Sequence, residues 1–201
     1  MASKKSILFI MAIAIISLQS CQKQTSTFKN YDDFKTINAD FIVNSKAVVN
    51  GELLAAYKCE EKVKDVENSI PLSWTNVPEG TKSLAVVMYH YPKKNNIDEV
   101  NSYLLLWNID PSVTSIPYKM ANNPNWAMGA NKDGTAISYT SPCSRGPGKH
   151  TYNIALFALK EPLKSLPKKS SVLVNYTTFM EAISKVEVLD RTSLTFTDLN
   201  E

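Results

Sequence analysis

A series of short apolar stretches, each closed off by turn-forming residues, limits what this chain can fold into more than any other feature. The stretches are Ser83–Tyr91, Ser102–Ile109, Thr135–Tyr139, Tyr152–Leu159 and Ser193–Thr197. Each has the length of a strand and draws on β-branched and aromatic residues, which fit a pleated surface. Pro78-Glu79-Gly80, Asp110-Pro111, Pro124-Asn125 and Gly146-Pro147-Gly148 punctuate them, because proline fixes φ and glycine tolerates positive φ. The segment Tyr176–Val186 has helical spacing instead, with Phe179, Met180, Ile183 and Val186 on one face. Many strands and few helices predict a mainly β body, an antiparallel β-sandwich with few short helices, one of them near the C-terminus.

The first twenty residues follow a different plan. Lys4 and Lys5 precede an apolar run from Ile7 to Leu18, and Gln19, Ser20 and Cys21 end it. A membrane-spanning helix needs about 20 apolar residues, so this run is too short to span and has the layout of an export signal. Leu18-Gln19-Ser20-Cys21 resembles the bacterial lipobox, with Gln19 in place of the usual small residue. The expectation is a signal peptide over residues 1–20, cleavage before Cys21 and lipidation of that cysteine. The alternative is an ordinary secretory signal followed by an incidental cysteine. Residues 21–36 are largely polar and suit a flexible tether, leaving 37–201 as one β domain of ordinary size. By resemblance to lipoproteins that carry no aspartate after the cysteine, Gln22 points to the outer membrane if the cell has two. Removing Lys4 and Lys5 lowers the formal net charge from +3 to +1, which argues against nucleic-acid binding. Export also puts Cys59 and Cys143 in an oxidising compartment, where either a disulfide or two separate buried thiols would be compatible with the sequence.

Catalytic motifs are scarce. The chain has two histidines, His90 and His150, and lacks H-E-x-x-H, C-x-x-C, G-x-S-x-G and G-x-x-x-x-G-K-[ST] patterns. No metal site and no cofactor are expected. Gly146-Pro147-Gly148-Lys149 imitates the end of a phosphate loop, but Cys143 stands where its first glycine would be. The long stretch Asn122–Lys149 is loop-like by composition, and loops of this length inside compact domains are usually functional or disordered. Its glycines and prolines permit close backbone approach, and exposed amides can hold an anion.

Several ordered motifs carry a family resemblance: Pro71-Leu72-Ser73-Trp74, Pro78-Glu79-Gly80-Thr81-Lys82-Ser83-Leu84-Ala85, Trp107-Asn108-Ile109, Gly129-x-Asn131-x-x-Gly134, Tyr139-x-x-Pro142-Cys143 and Gly148-x-His150-x-Tyr152. In this order, over roughly Phe41 to Leu194, they resemble the phosphatidylethanolamine-binding protein family, and most nearly its bacterial, Raf-kinase-inhibitor-like branch. The resemblance implies a compact antiparallel β-sandwich with a small pocket for anions such as phosphate or a phospholipid head group. It places Pro142, Gly146, His150 and Tyr152 at that pocket, where His150, protonated or neutral, would donate to phosphate oxygens. Ser141 and Thr151 depart from the family's glycine and arginine.

The family's acidic segment is missing. Tyr89-His90-Tyr91-Pro92 stands in its place, and Tyr103 stands near the family's histidine on the next strand. The expectation is therefore a pocket in which Tyr89, Tyr91 and Tyr103 replace ionisable groups, with His90 turned to the opposite strand face. Tyrosine is neutral near pH 7, so such a pocket would lose negative charge and gain stacking surface for an anion, a choline-like cation or a flat apolar group. The alternative is that these tyrosines fill a closed core. Three functions remain in view: a non-enzymatic, membrane-anchored binding protein for a small anionic or zwitterionic ligand; an envelope interaction or inhibitor module with a protein partner; and a hydrolase with His150 as base and Ser141 or Ser144 as nucleophile. The third lacks an orienting carboxylate.

Overall fold

The computed structural model describes residues 38–59, 69–93, 99–143 and 146–200, and every structural statement below concerns these. The signal peptide, Cys21 and the tether lie outside them. The strands are β1 (Ile42–Asn44), β2 (Val48–Val49), β3 (Glu52–Leu53), β4 (Leu72–Thr75), β5 (Ser83–His90), β6 (Asn101–Ile109), β7 (Ser115–Ile116), β8 (Ala127–Met128), β9 (Gly148–Leu159) and β10 (Val188–Asn200), with helix α1 (Tyr176–Ile183) before β10. A large sheet runs in the order β2-β3-β10-β9-β5-β6-β8, and a three-stranded sheet in the order β1-β4-β7. Pairing is antiparallel apart from the short β3–β10 contact. The expected mainly β class and C-terminal helix are both present.

The large sheet is covered on both sides. All eight residues of β5 are buried, which explains why it reads as a continuous apolar run rather than an alternating one. Leu84, Val86, Met88, Leu106, Ile154 and Leu156 face one core, together with Trp74 of the small sheet. Val87, Leu105, Trp107, Phe157 and Phe179 face the other, beneath α1. Fully burying one such side chain contributes roughly 1.5–3 kcal/mol. Both buried indoles keep a partner: Trp74 Nε1–H donates to the Val113 carbonyl at 2.8 Å and Trp107 Nε1–H to the Pro167 carbonyl at 2.9 Å.

Helix α1 starts at Asn175, whose side-chain oxygen accepts from the Thr178 amide at 3.0 Å, satisfying one of the donors a helix start leaves open. It buries Tyr176, Phe179, Met180 and Ile183 against the large sheet and ends at Ile183. Val186 packs on the same core from beyond the helix end. The expected strand at Thr135–Tyr139 does not form. Asn131 takes over that segment's hydrogen bonds instead: its Oδ1 accepts from the Thr135 and Ala136 amides at 2.8 and 3.1 Å, and its own amide donates to the Ala136 carbonyl at 2.7 Å. Glycine is required at 129 for space, since a Cβ there would lie 2.7 Å from the Val174 carbonyl oxygen and 2.9 Å from Leu105 Cβ.

Candidate functional site

Strand β9 carries His150 and Tyr152 two residues apart, so both side chains leave the same face of the large sheet. On β5, the residue paired with Tyr152 is His90. The His90 ring stacks on Tyr152 with centroids 4.9 Å apart and planes at 25°, and it lies 6.0 Å from the His150 ring. Phe196, the partner of Tyr152 on β10, stacks on its other side at 5.5 Å. Tyr103 meets Tyr152 edge-on at 5.1 Å.

Tyr103 reaches this cluster through an irregularity. Met88 pairs with Leu104 and Tyr89 with Ser102, which leaves Tyr103 as the extra residue of a β-bulge. Strict alternation would send it to the α1 side along with Leu105 and Trp107. The bulge turns it to the other side, where it shares a core with Leu104.

The hydrogen bonds of the two imidazoles decide their chemistry. His90 Nδ1 lies 2.8 Å from the Thr151 carbonyl oxygen, and His150 Nε2 lies 3.0 Å from the Gly146 carbonyl oxygen. A carbonyl only accepts, so each of these nitrogens carries a hydrogen and donates it. Neutral His150 therefore has no N–H left for a ligand, contrary to the expectation that it would donate in either form. Burial lowers the pKa of His90, as do the nearby charges of His150 and Lys132, and the bond to Thr151 opposes them. Burial likewise pushes the Tyr103 phenol far above its ordinary value, with Tyr152, to which it is hydrogen-bonded, adding to the effect. Burial raises Tyr139 as well.

The outer part of the site is buckled together by segments distant in sequence. Asn200 Nδ2 donates to the same Gly146 carbonyl as His150, at 3.1 Å. Asp198, paired with His150 across β9 and β10, is buried and forms an ion pair with Lys58 at 3.0 Å. Lys58 Nζ also donates to the Leu199 carbonyl at 3.0 Å. Next to it, Cys59 is disulfide-bonded to Cys143, with Cα atoms 5.4 Å apart. Of the two states the sequence leaves open for these cysteines, the structure shows the disulfide. Buried Ser141 donates its hydroxyl to the Tyr57 carbonyl at 3.2 Å, so this candidate nucleophile is tied to the backbone; Ser144 lies outside the described residues.

The structure thus brings together Tyr103, His150 and Tyr152, with Gly146 attached through its carbonyl and Pro142 buried in the loop beside Cys143. It does not bring Tyr89 and Tyr91 to them. Those two share a face, as alternation requires, but it is the α1 face: Tyr89 lies 5.4 Å from Tyr91 and 5.8 Å from Tyr176 of the helix. His90, set aside by the sequence reading, is the residue of that segment that faces the cluster. Alternation gives the relative phase of neighbouring residues, but a strand buried on both faces offers no polar side to fix the absolute phase. Asp198, Asn200 and Lys58 carried no motif. Among the described residues, no group of three or more His, Cys, Asp or Glu side chains is placed to hold a metal ion.

Comparison with known proteins agrees with this architecture. The family model for phosphatidylethanolamine-binding protein matches residues 44–197. A crystal structure of a putative phosphatidylethanolamine-binding protein homolog, CT736 from Chlamydia trachomatis, superposes with a TM-score of 0.65 at 23% identity, covering 82% of this chain and 100% of that one. Escherichia coli YbcL, described as a member of the mammalian PEBP family, gives 0.65 at 22% identity, covering 81% of this chain and 100% of its own. Comparison with curated proteins gives no match. The chain belongs to the phosphatidylethanolamine-binding protein family.

Proposed function

We propose that this member of the phosphatidylethanolamine-binding protein family is a non-enzymatic binding protein of the bacterial envelope. It is anchored by lipid on Cys21, in the outer membrane if the cell has two, and takes a small anionic or zwitterionic ligand such as a phospholipid head group. The observation that carries the reading is the convergence of His90, Tyr103, His150 and Tyr152 on one sheet face, beside a loop pinned through the Gly146 carbonyl. Aromatic faces suit a choline-like or ammonium group, and protonated imidazoles suit a phosphate. The Cys59–Cys143 disulfide supports export, since disulfides persist in oxidising compartments.

Isothermal titration with phosphate, phosphorylethanolamine and phosphorylcholine tests the ligand class; absence of heat from all three at millimolar ligand would overturn it. Metabolic labelling with palmitate tests the anchor, with incorporation expected in the native chain and lost in Cys21→Ser. A second reading, an interaction module for an envelope protein, draws support from the burial of His90, Tyr103 and Tyr152, which leaves a partly exposed His150 and its loop as the accessible part. Reproducible cross-linking of one envelope protein, with no small-molecule binding, would favour it.

A further inference from the structure

His90 and His150 are the two histidines of the chain, and each has one ring N–H committed to a backbone carbonyl. In a neutral imidazole the other nitrogen bears no hydrogen. The ring nitrogens not committed to a backbone carbonyl are therefore Nε2 of His90 and Nδ1 of His150, and in the neutral state both are lone pairs. A lone pair repels an anionic oxygen. A proton added at either nitrogen turns it into a charged donor and leaves the carbonyl bond intact, so no ring has to rotate.

Resting on the binding reading above, we propose that this site takes up its anion together with a proton: a phosphate-type anion binds the protonated state of the His90–His150 pair and leaves as the pair deprotonates. The rings lie 6.0 Å apart, so a charge on one opposes a charge on the other until an anion offsets both. The surrounding groups do not substitute for that anion. From β10, Asp198 faces His150 but is paired with Lys58. From the loop after β8, Lys132 adds positive charge toward His90, and Asp133 beside it pairs with Lys132 at 3.5 Å. Tyr103 from β6, Tyr152 from β9 and Tyr139 contribute phenols, of which Tyr103 and Tyr139 are held in the neutral form by burial. The lowered pKa of His90 agrees with a neutral His90 ring near neutral pH.

The test uses the full-length protein with 15N-labelled histidine. With two histidines, each imidazole signal is assignable. At about pH 8, His90 should appear as the Nδ1–H tautomer and His150 as the Nε2–H tautomer. Sulfate is a suitable probe because it stays a dianion across the range, and glycerophosphorylethanolamine supplies the singly charged phosphodiester of a lipid head group together with its ammonium. Sulfate affinity should rise by up to about tenfold per pH unit as pH falls toward the pKa of the unliganded pair, the limit set by one coupled proton, and level off below it. Calorimetry in buffers of different ionisation enthalpy should show proton uptake. Proton-coupled binding of glycerophosphorylethanolamine as well as sulfate would identify a head-group source; coupled binding of sulfate alone would identify a free phosphate-like dianion. Either outcome supports the proposal. Binding with flat affinity and no proton uptake, or the opposite tautomer at either ring, would overturn it and leave the binding reading intact. No binding of either probe at any pH would remove both.

Discussion

His90 lies nearly parallel on Tyr152, with ring centroids 4.9 Å apart, because the two residues are paired across β5 and β9. Tyr89, one position earlier in the chain, packs against Tyr176 on the other side of the same sheet. Two adjacent residues thus belong to two different cores, and substitution should separate their roles. His90→Ala removes the stacked ring and one of the two imidazoles, and should weaken ligand binding at least tenfold. Tyr89→Phe keeps the packing on the α1 side and should leave affinity within about twofold, since a substitution away from a site usually changes little. Titration calorimetry of the two variants decides; equal losses would mean that the sheet face does not define the site.

The disulfide should act on both stability and the site. It closes a sequence separation of 84 residues, and a cross-link of this kind typically contributes about 2–4 kcal/mol by restricting the unfolded chain. It also ties the segment of Tyr57 and Lys58 to the loop carrying Ser141 and Pro142. Replacing Cys59 and Cys143 together by serine should lower the denaturation midpoint by a corresponding amount and reduce ligand affinity. A stability loss with full affinity would show that Lys58–Asp198 and Ser141–Tyr57 suffice to hold the site.

Gly129 offers a test of packing with no ligand involved. A Cβ at this position would lie 2.7 Å from the Val174 carbonyl oxygen and 2.9 Å from Leu105 Cβ, so Gly129→Ala must displace either β6 or the loop leading to α1. Overpacking of this kind costs about 1–3 kcal/mol. Urea unfolding should show the loss, whereas Gly51→Ala, where nothing lies within 4 Å, should owe any loss to its positive φ alone.

What the sequence revealed follows from how each element is buried. β5, β6, the apolar part of β9 and α1 were legible because apolar runs and a helical stripe are strong signals, whereas of the thirteen residues of β10 only Ser193–Thr197 stood out. β2, β3, β7 and β8 are two residues each, too short to show any period. Thr135–Tyr139 looked like a strand by composition, yet the Asn131 side chain offers its backbone a competing set of hydrogen bonds. At the site, His150 and Tyr152 came from a local motif. Tyr103 was named, but the bulge that delivers it leaves no sequence mark. His90 was misplaced because a strand buried on both sides hides its phase.

The pH dependence of stability tests the environment of His90 in the absence of ligand. Burial depresses its pKa in the folded protein below the value near 6.5 that it regains on unfolding. Between those two values the unfolded chain binds more protons, so stability rises with pH there. The favourable contribution is present above the unfolded value and is lost as pH falls through the folded one. Carboxylates titrate lower and in every variant, so the informative quantity is the difference between the native chain and His90→Gln. That difference should change as pH falls from about 7 to about 5, the native chain losing more stability than the variant. Parallel pH profiles from chemical denaturation would mean that His90 is solvated enough to titrate normally, and the burial that sets its tautomer and its stacking on Tyr152 would then be looser in solution than the geometry describes.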